Sequence, residues 1–313
     1  MKDLDGIHHI SAVTADGPRN ADFYTRVMGL RLVKKTVNQD DPTVYHLFYA
    51  DEAGSAGADL TFFEYPGVRR GRPGAGMVDR IAFRVASADA LEFWRRRLER
   101  EGLDARGEDG ALWFQDPEGL GLALGVDESG DEPLVAWHPD IPEEVALRGF
   151  AGVHALSQGP EASRAFLQGA LGFAPGREGS YEARGPRRAS FYDYGESLER
   201  GAGGAGTVHH VAFASAIEDH EAWRRRVLEG GASPTPIIDR FYFRSVYFRE
   251  PSGVLFEIAT LGPGFATDEP AEHLGESLSL PPAFEHLRSP LEATLAPIPN
   301  PREGWAVPAR LRR

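Results

Sequence analysis

Cysteine is absent from all 313 residues, which excludes a disulfide frame, a thiolate metal site and a cysteine nucleophile. Long apolar runs are absent as well, and no stretch approaches the roughly 20 residues that cross a bilayer as a helix. The opening Met1-Lys-Asp-Leu-Asp5 has no apolar stretch of the kind that marks a secretory leader. Basic charge is scarce: 34 Lys and Arg stand against 47 Asp and Glu, a net charge of −13. Nucleic-acid binding depends on neutralising phosphates, so that balance argues against such a partner. Arg95-Arg-Arg97 and Arg224-Arg-Arg226 sit in helical patterns beside Glu and Trp and read as solvated helix faces. No Gly-x-Ser-x-Gly elbow is present to support an acyl-transfer triad. The Gly-rich run 201–206 precedes a strand pattern instead of opening a helix, so it is a flexible loop and not a phosphate cradle. A soluble, cytoplasmic protein with neither membrane nor nucleic-acid partner is expected.

What the chain does have is repetition. In 78–102 a strand pattern, Val-Asp-Arg-Ile-Ala-Phe, leads to a helix pattern holding Glu92-Phe-Trp-Arg-Arg-Arg97 and ending at Gly102. In 208–230 Val-His-His-Val-Ala-Phe leads to Glu221-Ala-Trp-Arg-Arg-Arg226 and ends at Gly230, with the tryptophans 129 residues apart. Each helix is followed by a short strand, a Pro- and Gly-bearing turn (115–119 and 249–253) and a last apolar strand. The plan recurs more weakly in 7–65 and 150–194, with glycine stops at Gly29 and Gly172. The expected fold is therefore α+β: four βαβββ modules forming two barrel-like domains, with an extended C-terminal tail. Modules one and two are assigned to 1–125 and modules three and four to 150–260. An acidic, Pro-containing linker falls at 126–149, and a tail wrapping over the domains at 261–313.

Aligned on their first strands, the modules carry His9, Arg80, His154 and His210 at one position; on their last strands they carry Glu64, Ala123, Asp193 and Glu257. Module two has neither the histidine nor the carboxylate, whereas module four has both in the most apolar setting. Glu257 lies between Phe256 and Ile258, and a carboxylate buried there needs a partner or a metal. Two imidazoles and a carboxylate on strand interiors form a 2-His-1-carboxylate candidate. Adjacent strand side chains point to opposite faces, so one member each of His8/His9 and His209/His210 is expected to face a shared centre. The other member is left for supporting or proton-shuttling roles. The third ligand stays open between His9 and His154. The aromatic segment 238–248, with Arg240, Tyr242 and Tyr247, reads either as an ordinary strand or as the wall of a pocket for a flat, oxygenated molecule.

Four βαβββ modules with these residues resemble the vicinal oxygen chelate superfamily of glyoxalases and extradiol dioxygenases. Three stretches resemble its hydroquinone-type ring-cleaving branch in particular. They are His8-His9-Ile10 with 32–46, Val208-His-His-Val-Ala-Phe213, and 239–251 running into Phe256-Glu257. The resemblance implies an Fe(II) centre, with Mn(II) as a substitute, held by His9, His210 and Glu257. It further implies O₂ as co-substrate, a small hydroxylated aromatic as substrate and a homo-oligomeric assembly. His8, His209, Arg240 and Tyr247 carry over as catalytic pocket residues; Ser11, where a relative has threonine, and Tyr242 are expected to line the pocket. Ring cleavage is the leading expectation. The rivals are a glyoxalase-type lyase or isomerase using Glu64 as a fourth ligand, and a non-catalytic binder of an aromatic compound.

Overall fold

The computed structural model describes residues 3–176 and 179–307. Module one consists of β1 (Ile7–Thr14), α1 (Gly17–Asp22), β2 (Arg31–Asn38), β3 (Asp41–Ala50) and β4 (Asp59–Glu64). Module two consists of β5 (Met77–Val85), α2 (Ala88–Arg100), β6 (Arg106–Glu108), β7 (Ala111–Gln115) and β8 (Gly121–Val126). Module three has β9 (Phe150–Ser157), α3 (Glu161–Ala165), β10 (Ala174–Pro175), β11 (Tyr181–Arg184) and β12 (Ala189–Glu196). Module four has β13 (Thr207–Ser215), α4 (His220–Glu229), β14 (Ile238–Asp239), β15 (Arg244–Arg249) and β16 (Leu255–Thr260). No helix among the described residues is long and apolar enough to cross a membrane.

Local chemistry accounts for the repeated helix. Ser87 caps α2 by accepting from the Ala90 N–H, and Trp94 donates from its indole to the Val145 carbonyl at 2.7 Å. Trp94, Leu98, Trp223 and Val227 turn inward at helical spacing, and their burial holds both helices on the sheets. α1 and α3 each run on into a π-helical turn, Phe23–Val27 and Phe166–Ala170. The first of these stops at Gly29, whose φ of +72° a side chain would resist.

The sixteen strands form two eight-stranded sheets, ordered β14-β15-β16-β13-β1-β4-β3-β2 and β10-β11-β12-β9-β5-β8-β7-β6. Each sheet joins one module from either half of the chain: one with four, and three with two. One face of each sheet, through Ile10, Phe213, Phe256 and Ile258 in the first and Ile81, Phe83 and Val153 in the second, enters a common core with the helices. The opposite face of the first sheet forms a cup. In β16 this alternation sends Phe256 and Ile258 to the core and Glu257, 0 % exposed, into the cup.

The tail lies along β2, the edge strand of the first sheet, and so masks a row of otherwise unpaired main-chain groups. Lys34, fully buried on β2, is bound by Asp268 at 2.8 Å and by Glu269. Lys35 donates to the Ile298 carbonyl at 2.6 Å, and Arg302 makes a paired contact with Glu52 at 2.8 and 3.0 Å. Removing the cation of a buried ion cluster strands its anions. Lys34→Met is therefore expected to lower the unfolding free energy by about 3 kcal/mol, measured as a reduced urea midpoint at unchanged slope.

Candidate metal centre

The centre lies where β1 and β13 pair antiparallel. Ile7 faces Phe213 and His9 faces Ala212, so His8 is an extra residue in β1; Ser11 faces His210 and Ala12 faces Val208, so His209 is an extra residue in β13. Each His-His pair thus straddles a β-bulge, which bends a strand and re-aims its side chains. The strict alternation expected along these strands is broken there. His8 Nδ1 lies 2.9 Å from His9 Nδ1, and His209 Nδ1 lies 2.8 Å from His210 Nδ1.

The other ring nitrogens of His9 and His210 converge. His9 Nε2 is 3.2 Å from His210 Nε2 and 3.2 Å from Glu257 Oε2, and His210 Nε2 is 2.9 Å from the same oxygen. All three residues are buried, at 1 %, 3 % and 0 % exposure. Glu257 Oε1 has no hydrogen-bond partner, and Oε2 meets only the two imidazole nitrogens. Burial pushes the Glu257 carboxyl up, but His9 and His210 together outweigh it and hold the group well below the usual carboxylate range. Burial pushes His210 down despite its contact with Glu257. Three bare acceptor atoms crowded in a dry interior would repel one another, so either imidazole protons or a cation must sit among them. Neighbouring ligands of an octahedral ion with bonds of about 2.1 Å lie about 3 Å apart, so the triangle matches one octahedral face. His9, His210 and Glu257 could hold a metal ion, and among the described residues they form the one such cluster of three or more.

His8 fixes the tautomer of His9. The main chain of Thr260 hydrogen-bonds His8; with Nδ1 turned to His9, that bond falls to Nε2–H. Burial first, and His9 second, push the His8 pKa down to about 3, so the ring is neutral and its Nδ1 is an acceptor. His9 must then donate from Nδ1–H, which directs its Nε2 lone pair at the centre. The Nδ1 atoms of His209 and His210 make a matching contact at 2.8 Å.

The remaining expected residues gather beside the triad. A cavity of about 40 Å³ is lined by His9, His210, Ser11, Arg240, Tyr242 and Tyr247, among others. Arg240 donates to both oxygens of Asp40 (2.9 and 2.8 Å), and its Nε lies 3.3 Å from the Tyr247 hydroxyl. Gln39 closes the same wall, donating to the Arg240 carbonyl at 2.7 Å. Burial, then Glu257, push the Tyr247 phenol well above its ordinary pKa, so it is protonated. Tyr242 gives its ring to the wall and its hydroxyl to Asp268 at 2.9 Å. The space is smaller than the 300 Å³ or more usual for ligand pockets.

Two of the sequence alignments change. The residue after each bulge is His9, His210, Arg80 and, in module three, Gly152, because Ala151 is the extra residue of β9. His154 pairs with Arg80 in the second sheet and bonds Asp79 at 2.5 Å, away from Glu257. On the last strands, Glu257 faces Ala212, two residues past the ligand histidine, and the same position in module one is Thr61, facing Ser11. Glu64 lies three residues further along and accepts from the Gly17 N–H at 2.7 Å. The fourth carboxylate of a glyoxalase-type centre is thus replaced by a hydroxyl. Thr61 and His46, also in this cavity wall or directly behind it, were not singled out from the sequence, where each sits in an ordinary alternating strand.

The chain belongs to the glyoxalase/bleomycin resistance protein/dioxygenase superfamily, whose family model matches residues 6–124 and 153–258. It is 41 % identical over 315 aligned positions to MhqA of Bacillus subtilis, provisionally named a ring-cleaving dioxygenase, covering 94 % of this chain and 99 % of the relative. It is 33 % identical to the chlorohydroquinone/hydroquinone 1,2-dioxygenase of Sphingobium indicum, covering 93 % and 96 %. A crystal structure of a provisionally named Bacillus subtilis dioxygenase superposes with a TM-score of 0.88 at 38 % identity, over 95 % of this chain and 98 % of that one. Glyoxalase I of Zea mays, at 16 % identity and a TM-score of 0.56 over 82 % and 92 %, shares the fold.

Calorimetric titration with a divalent cation checks the centre. His9→Ala is expected to abolish stoichiometric binding and His154→Ala to leave it unchanged. His8→Phe or His209→Phe should weaken it about 10- to 100-fold through lost orientation of the ligand rings. Wild-type affinity should fall as pH is lowered, because protons compete for the imidazole lone pairs.

Proposed function

We propose that this protein is an Fe(II)-dependent dioxygenase that opens a dihydroxylated aromatic ring with O₂. The observation that carries the reading is the buried face of two imidazoles and one carboxylate, open on one side to a cavity holding Arg240 and Tyr247. Near-full-length similarity to a protein named chlorohydroquinone/hydroquinone 1,2-dioxygenase supports the reaction and the substrate class. The donor set suits Fe(II), and Mn(II) fits it too. Fe(II) held by His9, His210 and Glu257 supplies Lewis acidity toward a ring hydroxyl and a redox centre for O₂.

The chain's own groups do the rest. His8 and His209 hold the ligand rings through their Nδ1 contacts and act as positioning residues. Arg240 brings a fixed positive charge to the ring oxygen as negative charge develops there. Tyr247, protonated and touching Arg240, donates to the same oxygen. The buried wall excludes water from the reacting ring.

An oxygen electrode tests this on the Fe(II)-loaded protein. Hydroquinone or catechol should drive uptake of one O₂ per ring opened. Absence of uptake with every dihydroxybenzene would overturn the assignment. Tyr247→Phe is expected to lower kcat about 100-fold with metal content unchanged.

A further inference from the structure

His46, on β3, has no part in the metal-side chemistry, yet it lines the same cavity as His9, His210, Arg240 and Tyr247. Its ring is held between Phe48 and Phe63, with centroids 4.0 and 4.2 Å away. An imidazole placed in this way is a polar edge between two phenyl rings of the wall. Its Nε2 lies 2.9 Å from Thr61 Oγ1, which lies 2.7 Å from Ser11 Oγ. Ser11 and Thr61 are both 0 % exposed, and this chain of contacts is how they are satisfied in the interior.

We propose that the Ser11–Thr61–His46 chain makes His46 a specificity-determining residue that recognises the second hydroxyl of a ring hydroxylated at opposite ends. The inference rests on the ring-opening reading and deepens it. Thr61 has one hydroxyl hydrogen, so it donates to one neighbour and accepts from the other. When His46 Nε2–H donates to Thr61, Nδ1 is an acceptor; when Thr61 donates to His46, Nδ1 carries the hydrogen. The ring nitrogen not held by Thr61 therefore meets a substrate hydroxyl in either sense, and the buried chain stays satisfied both ways. Burial, and then His9 and His210, keep the His46 imidazole neutral, which preserves one donor and one acceptor.

Position selects the substitution pattern. Ser11 is cross-strand to His210, Thr61 is beside Ser11 on β4, and His46 follows on β3. In the sheet order β16-β13-β1-β4-β3 the triad occupies the first three strands, and His46 reaches the cavity from β3, the side away from β16. A six-membered ring with an oxygen at each end can address both sides. A ring with adjacent hydroxyls keeps both oxygens at the metal end and leaves His46 unengaged. A site built around a hydroxyl discriminates against the analogue lacking it, because the buried polar group is then unpaired.

Anaerobic calorimetry on the Fe(II)-loaded protein tests this, comparing hydroquinone with phenol, which lacks the distal hydroxyl. Wild type is expected to bind hydroquinone about 100-fold more tightly. His46→Phe should reduce that ratio to near one while phenol affinity and metal content hold; His46→Gln should retain part of it. Thr61→Val, which removes the chain but not the ring, should lower the ratio as well and serves if His46→Phe does not fold. An unchanged ratio in His46→Phe overturns the inference, as does a wild type without preference. Loss of metal from His46→Phe also overturns it, by making the role structural. These ratios are read without turnover: a silent oxygen electrode defeats the ring-opening assignment, whereas an active enzyme with an unchanged ratio defeats only the role of His46.

Discussion

The pairing of β1 with β13 is the contact on which the rest depends. Its partners lie some 200 residues apart in the chain, His9 and His210 among them. Through it module one joins module four, the first sheet closes into a cup, and the two ligand histidines meet at the seam. A bulge in each strand at the seam breaks the ladder locally. Each bulge also converts a pair of neighbouring histidines, which regular alternation would send to opposite faces, into an Nδ1-to-Nδ1 contact. The sheet gives up regular pairing at two points, and the ligand rings gain a fixed direction. The candidate metal centre is built from backbone irregularity as much as from residue type.

Much of the fold was legible in the sequence, because its signals are local. The tryptophan-bearing helices, their glycine stops and the Pro–Gly turns repeat with a fixed order, and Glu257 between Phe256 and Ile258 announces burial. The paired histidines also pointed to His9, His210 and Glu257, which the structure brings together. Register was not. The Phe63-Glu64 and Phe256-Glu257 dipeptides look equivalent, but strand pairing places Thr61 opposite Ser11 and Glu257 opposite Ala212, a difference of three residues. His154 looked like a counterpart of His9 because the extra residue at Ala151 cannot be seen without its partner strand. Bulges and cross-strand neighbours are properties of two segments at once, and periodicity within one segment does not contain them. His46 was overlooked for the same reason: its significance comes from Thr61, on the adjacent strand.

The second sheet shows how little of the chemistry belongs to the fold itself. It keeps both bulges and the same strand order, yet its four corresponding positions hold Gly152, Arg80, Ala123 and Asp193. A Cβ on Gly152 would approach the Phe191 carbonyl to 2.2 Å, so no ligand side chain fits where the first sheet has His9. Arg80 occupies the His210 position and lies 3.4 Å over the Trp113 ring, bringing a permanent cation where the other sheet would bind one. Identical architecture thus supports a cation-binding face in one sheet and excludes it in the other, as expected when function resides in a site and not in a topology.

The walls of the cavity differ in how strongly they are held. Tyr242 is anchored through Asp268, which also binds Lys34 and Ser279, so this wall is tied to a buried ion cluster and to the tail. The opposing wall is the two-residue Gln39-Asp40 turn between β2 and β3, held to Arg240 by an ion pair whose Asp40 side chain is 71 % exposed. A pair with so exposed a partner contributes about 0–1 kcal/mol, far less than the several kcal/mol of a buried cluster. The turn is therefore the more weakly held side of the cavity, and the side tied to the buried cluster and the tail is the firmer one.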